Sequence, residues 1–227
     1  MPNKRKTLDK KLPSSPSLPD ETCLTQFDNT NALKDEDEFS DIVLTDLDMS
    51  GQAAAMLVLK YARLKQIRLS DSIMPKAQLV DARLESCDIS NSDCSDTRIN
   101  KVALINTKFV GIKLIASKIS ECLLDNCLGE LAQFYGTKFR NTRFQNCKLR
   151  NADFRACDLS STAFFNCDLS GAEFYDANLQ GTDFRGSDIS QIKIQPKDLK
   201  GAVIDSNQAL ELAQYLAKLL EIEVLDV

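Results

Sequence analysis

Eight cysteines and no histidine set the limits of the chemistry open to this 227-residue chain. Cys127, Cys147 and Cys167 recur at a spacing of 20 residues, and a regular series of thiols suggests a metal or redox centre. Zinc, however, takes about four ligands converging tetrahedrally, which a linear series does not supply. Free cysteine is also a common small core residue. Six of the thiols (Cys87, Cys122, Cys127, Cys147, Cys157, Cys167) share one recurring small position, as core residues would, and Cys23 is the thiol expected to be exposed. Without histidine, Ser/His/Asp and Cys/His catalysis and His-ligated metals drop out. No glycine-rich phosphate loop is present. Carboxylate acid–base work stays formally open, but Asp and Glu recur at an outward polar position, as solvated surface does. The expectation is no catalytic residue, no cofactor and no metal.

Basic residues are more informative. Arg98, Lys118 and Lys138 recur at 20-residue spacing and are continued by Asp158. With Arg140 they are candidate contacts for phosphate or an acidic partner, and interleaved charge kept for solubility is the competing reading. Residues 98–155 hold 11 basic and 4 acidic side chains, whereas 158–188 hold one and six. The net charge of −5 divides into −5 for residues 1–56, +3 for 57–206 and −3 for 207–227. The middle of the chain is therefore nearly neutral and bipolar.

The element that positions these residues shows as a beat of five. From Leu59 to Ile204 every fifth residue is bulky and apolar, except Cys94 and Gly129. A helix repeats at 3.6 residues and a strand at 2, so neither accounts for it, whereas internal repetition at fixed period points to a solenoid. Two residues before each bulky position stands a small one, such as Ala77, Thr107, Cys147 or Ala172, with a polar residue between them. One pentad thus offers a small inward residue, an outward polar one, a large inward one and two more outward. At Gly129 a bulge or distorted corner is expected, with Leu128 and Leu131 filling the gap or forming a surface patch.

Segments such as Ala152-Asp153-Phe154-Arg155-Ala156 and Ala177-Asn178-Leu179-Gln180-Gly181 match the A(D/N)LXX pattern, and over roughly two-thirds of its length the chain resembles the pentapeptide-repeat proteins. The resemblance implies an all-β solenoid, a right-handed quadrilateral β-helix with four pentads per coil. Steps of 20 agree with it. Phe134, Phe154 and Phe174 fall on one wall, Phe144, Phe164 and Phe184 on the opposite wall, and Leu159 and Leu169 on the other two, so that large and intermediate side chains interdigitate. Seven to eight coils at about 4.8 Å would make a rod on the order of 35 Å long.

The expected organisation is a disordered tail (1–38), an irregular lead-in or first coil (39–56), the repeat body (57–206) and a cap (207–227). In the cap, Asp205 or Ser206 can serve as N-cap to a helix from about Asn207 to Leu220. Its apolar face would be Leu210, Ala213, Leu216, Ala217 and Leu220, serving as cap or dimer contact, followed by a short strand at Ile222 and Val224. No stretch approaches the roughly 20 apolar residues of a membrane span, and no apolar h-region follows the N-terminal lysines, so the cytoplasm is the default location.

The function expected from these features is a non-enzymatic scaffold binding a protein partner through rigid faces. The resemblance adds a second class, since some relatives imitate DNA and engage DNA gyrase, and some of these join as dimers through their C-terminal ends. DNA imitation needs a strongly acidic rod, and a body of +3 argues against it. Direct nucleic-acid binding by the basic middle coils is a third class.

Overall fold

The structure is a computed structural model that describes residues 12–18 and 32–225. Of the expected tail, the remaining residues, Cys23 among them, lie outside the described residues. The chain winds into a parallel β-solenoid in which each strand pairs with residues 20 positions on. Four eight-residue strands come first: β1 (Glu38–Thr45), β2 (Val58–Lys65), β3 (Gln78–Glu85) and β4 (Arg98–Ile105). Shorter ones follow: β5 (Lys118–Ser120), β6 (Leu123–Asp125), β7 (Lys138–Arg140), β8 (Thr142–Gln145) and β9 (Thr162–Phe165). The register keeps like over like, as in Leu64↔Leu84, Leu84↔Leu104, Leu124↔Phe144 and Phe144↔Phe164. Residues 39–56 form a first coil paired to the next, Phe39 opposite Leu59 and Leu44 opposite Leu64. No helix forms at Ala53–Arg63, because the backbone there bonds to the coils on either side, as in Ala54 N to Ile73 O and Val58 N to Asp37 O.

Corners are made by left-handed residues. In β1 to β4 the fourth residue (Asp41, Tyr61, Asp81, Lys101) has φ of 55, 49, 51 and 53°, so one strand serves two walls. At another corner, Asn106, Asn126, Asn146 and Asn166 have φ between 51 and 53°, a conformation Asn tolerates better than most residues. Their amides also bond between coils: Asn126 Nδ2 donates to Asn106 Oδ1 at 2.6 Å and Asn166 Nδ2 to Asn146 Oδ1 at 2.7 Å.

The interior is a herringbone of aromatic rings. Phe134, Phe154 and Phe174 stack at 5.0 and 5.2 Å, and Phe144, Phe164 and Phe184 at 5.0 and 5.3 Å. Between the two stacks the rings meet edge to face, as in Phe154–Phe164 at 5.6 Å and 80°. Such pairs add about 0.5–1.5 kcal/mol each beyond the area they bury. All six rings are buried, as are Leu159 and Leu169.

The two lapses in the beat have different outcomes. No bulge forms at Gly129. Instead Phe109, directly above it, lays its ring into the vacant slot, and a Cβ on Gly129 would lie 1.9 Å from Phe109 Cε2. Leu131 stays exposed and does not fill the gap. Beside Cys94 an apolar cavity of about 90 Å³ remains, lined among others by Leu79, Ile99, Leu114, Phe109 and Cys94.

The C-terminal end is covered by helix α1 (Ser206–Leu219), which starts from a capping box between Asp205 and Gln208. Its covering face differs from the expected one. Gln208 and Leu212 are buried and Tyr215 packs on the core, while Leu210, Ala213 and Leu220 point outward and Leu216 is half-buried. The last coil presents unpaired carbonyls as well as apolar side chains, so its cover must donate hydrogen bonds. Gln208 Nε2 donates to the carbonyls of Phe184 (2.6 Å) and Ser187 (2.7 Å), and Tyr215 donates to that of Ile194 (2.7 Å). Ile222 and Val224 form no strand and are exposed. No helix among the described residues is long and apolar enough to cross a membrane.

Candidate partner-binding face

Cys87, Cys127, Cys147 and Cys157 take the same place as Ser and Thr in neighbouring coils, donating to a wall carbonyl 23 residues back. Thr182 Oγ1 donates to Leu159 O at 2.8 Å, Ser92 Oγ to Leu69 O at 2.7 Å, and Cys147 Sγ to Leu124 O at 3.4 Å. Cysteine is thus one of several small residues whose polar tip closes the wall. Burial pushes the Cys94, Cys122 and Cys157 thiols up to about 12, which keeps them protonated and unreactive. Among the described residues no group of three His, Cys, Asp or Glu side chains is placed to hold a metal.

The recurring Asp has a structural task that the sequence does not disclose. In each of Asp48, Asp88, Asp93, Asp153, Asp158, Asp168, Asp183 and Asp188 the carboxylate accepts from the backbone N–H two residues on. The side chain replaces a backbone turn partner around the inward residue between them. The Ser50 hydroxyl and N–H hold the Asp48 carboxyl below its ordinary range. Burial raises that of Asp153, but hydrogen bonds from the Arg155 side chain and backbone outweigh it and the net shift is downward. In these pentads the second position is therefore a turn-forming Asp, whereas Arg98, Lys118 and Lys138 occupy the same position in theirs.

The chain is a pentapeptide-repeat protein. A sequence profile of the pentapeptide repeat region matches residues 77–154 and 137–213, together more than half of the chain. No curated protein matches it significantly. Among solved structures it is similar to HetL, involved in heterocyst differentiation regulation in the cyanobacterium Nostoc sp. strain PCC 7120, at 21% identity over 74% of this chain and 87% of that one, TM-score 0.38. It is also similar to full-length QnrB1, a plasmid-mediated fluoroquinolone resistance protein, at 14% identity over 77% of this chain and 99% of that one, TM-score 0.36. A third is Rfr23 from the cyanobacterium Cyanothece 51142, at 21% identity over 59% and 64%, TM-score 0.22.

On this repeat scaffold the candidate cations come together. Arg98 on β4, Lys118 on β5 and Lys138 on β7 are direct ladder neighbours, and Asp158 follows Lys138. At about 4.8 Å per coil the three cations lie within roughly 10 Å. Arg140 shares their face two residues on and pairs in register with Ser120. All four are exposed. A groove of about 430 Å³ runs beside the row, lined by Met56, Lys76, Gln78, Asp96, Ala116 and the stems of Arg98 and Lys118.

None of the four makes an ion pair among the described residues. Several cations elsewhere are paired: Lys60 with Glu38 (2.6 Å), Arg68 with Asp48 (2.8 Å), Arg155 with Asp153 (2.8 Å), Lys193 with Glu173 (2.8 Å), and Arg150 with Asp168. The stacked row thus joins like charges without internal neutralisation. A corner column of Asp81, Lys101 and Glu121 borders this face. It carries contacts absent from the sequence pattern. Ser17 N donates to Asp81 Oδ1 at 2.8 Å, and Ser14 donates to Glu121 Oε2 through N (3.1 Å) and Oγ (3.0 Å).

Proposed function

We propose that this chain is a non-enzymatic cytoplasmic scaffold that binds an acidic protein partner through the face carrying Arg98, Lys118, Lys138 and Arg140. One observation carries this reading: like charges are stacked a strand spacing apart as direct ladder neighbours without counter-ions, whereas cations such as Lys60, Arg68 and Arg155 each have a carboxylate partner. A row of this kind focuses positive potential, steers an acidic partner and suppresses wrong ones. The solenoid holds the side chains' bases fixed, which lowers the ordering cost of binding. The test is an affinity pull-down with mass spectrometry that compares the wild type with Arg98→Glu/Lys118→Glu/Lys138→Glu. A partner retained only by the wild type and eluted by moderate salt is expected. An identical protein set on both baits refutes the reading.

The same cations would serve nucleic acid, which predicts salt-sensitive gel shifts; absent or salt-independent shifts reject that alternative. The family resemblance keeps DNA-mimicking modulation of gyrase as a further alternative. The acidic C-terminal coils are its support, although Asp158, Asp168, Asp183 and Asp188 each accept from the backbone N–H two residues on. A supercoiling assay with purified gyrase decides it, and no effect at micromolar protein ends it. Self-association through the cap is favoured by the outward Leu210 and Leu220, 66% and 62% exposed. Light scattering of Leu210→Glu against the wild type tests it, and equal masses for the two would reject it.

A further inference from the structure

We propose that the corner column Asp81–Lys101–Glu121 is a docking site for an extended Ser/Pro segment, occupied by the chain's own residues 12–18 as a strap that gates the neighbouring basic face. The gating half rests on the basic-face function above; the docking half does not.

The geometry fits in one register. Asp81 and Glu121 are two coils apart in a single column, about 9.6 Å at the strand spacing. Ser14 and Ser17, which reach them, are three residues apart. A polyproline II segment rises 3.1 Å per residue with three residues per turn, so it carries two such residues about 9.3 Å along and returns them to the same side. Pro13 and Pro16 hold φ near −65°, which favours that conformation and lowers the entropy of docking. Such a helix makes no hydrogen bonds of its own, so its N–H groups are free to meet carboxylates. The site is partly buried: Asp81 is only 6% exposed, unusual for a carboxylate without a buried partner. Charge-assisted bonds of this kind are roughly twice as strong as neutral ones. Lys101 lies between the two carboxylates in the same column and is half-buried. Pro13, Pro16 and Leu18 are likewise half-buried.

Residues 12–18 carry no charge, so the strap shields the corner sterically without neutralising the cations. Its column is next to that of Ser120 and Arg140 and three residues from Arg98, Lys118 and Lys138. A partner that wraps the basic face onto this corner must displace it.

Ser14→Pro/Ser17→Pro removes all three donors while leaving the segment extended and uncharged. Docking is read from hydrogen exchange of the Ser14 and Ser17 amides in the full-length wild type against the same amides in a free peptide of residues 10–20. Gating is read from the affinity of a polyglutamate peptide. The wild-type amides should exchange more slowly than the free peptide's, and the variant should bind polyglutamate more tightly than the wild type, by about tenfold if the strap is docked nine-tenths of the time. Equal exchange rates in chain and peptide would overturn the docking site. Slowed exchange with unchanged affinity in the variant would overturn the gating. Polyglutamate that binds neither wild type nor variant would overturn the gating together with the basic-face function, while the exchange data still decide docking.

Discussion

Gly129→Leu restores the bulky residue that the five-residue beat calls for, and the structure makes it a damaging change. A Cβ at this position would lie 1.9, 2.6 and 2.7 Å from Cε2, Cζ and Cδ2 of Phe109. Ordinary contact begins near 3.4 Å, so even Ala demands about 1.5 Å of ring movement. The ring is 1% exposed and meets Phe134 edge to face at 6.5 Å, so its way of retreat is into the apolar cavity of about 90 Å³ that it helps to line. Overpacking a core costs about 1–3 kcal/mol; with that space beside the ring, Gly129→Ala belongs near the lower end and Gly129→Leu near the upper. Phe109→Ala alone empties the slot and should cost about 3–5 kcal/mol. The two positions share one volume, so Phe109→Ala/Gly129→Leu should be less damaging than the sum of the single changes by about 2 kcal/mol, within the range seen for residues in contact. Equilibrium urea unfolding followed by far-UV circular dichroism measures all three. An unchanged midpoint for Gly129→Leu, or strict additivity in the double variant, would refute the interlock.

Cys94→Leu should stabilise the rod by up to about 2 kcal/mol by filling a cavity of about 90 Å³ at roughly 24 cal/mol per Å³; a lower midpoint would mean that the space is not available to the side chain. Phe154→Ala should cost about 3–5 kcal/mol, and Asp153→Ala, which loses the turn bond and its pairing with Arg155, about 0.5–1 kcal/mol; equal effects would contradict the inward and outward assignment. Gln208→Ala leaves the carbonyls of Phe184 and Ser187 uncovered and should cost about 1–3 kcal/mol, with concentration-dependent association visible by light scattering. The carboxyls of Asp48, Asp153 and Asp168 sit below their ordinary range. Their contribution is full above the unfolded-state value near 3.9 and is lost as pH falls through the lower folded values. Thermal unfolding should therefore show a midpoint nearly flat from pH 7 to 5 and falling below about 4; a midpoint rising on acidification would contradict the turn role.

How much of this was legible in the chain depended on periodicity. The inward positions of Phe134 to Phe184, the small slot shared by Cys, Ser, Thr and Ala, and the stacking of Arg98, Lys118 and Lys138 all follow from counting in fives and twenties, because in a solenoid each contact lies one coil away. The cap departs from such counting. A helical apolar stripe at Leu210, Ala213 and Leu220 suggested one face, but the end of a β-rod offers carbonyls, and donors at Gln208 and Tyr215 fix the helix orientation instead. The Asp at the second position read as solvated surface, because a side chain bonding to its own backbone leaves no spacing signal beyond the repeat itself.

The sequence by itself determined a β-solenoid of 20-residue coils, its inward and outward residues and the absence of histidine chemistry, because a strict local repeat translates directly into a stacked core. Only the tertiary structure decided that Phe109 occupies the slot of Gly129, that Arg98, Lys118, Lys138 and Arg140 lack counter-ions among the described residues, and that residues 12–18 lie across Asp81 and Glu121. Each of these joins residues whose partnership depends on side-chain volume, charge or reach across coils, and no periodicity along the chain encodes those quantities.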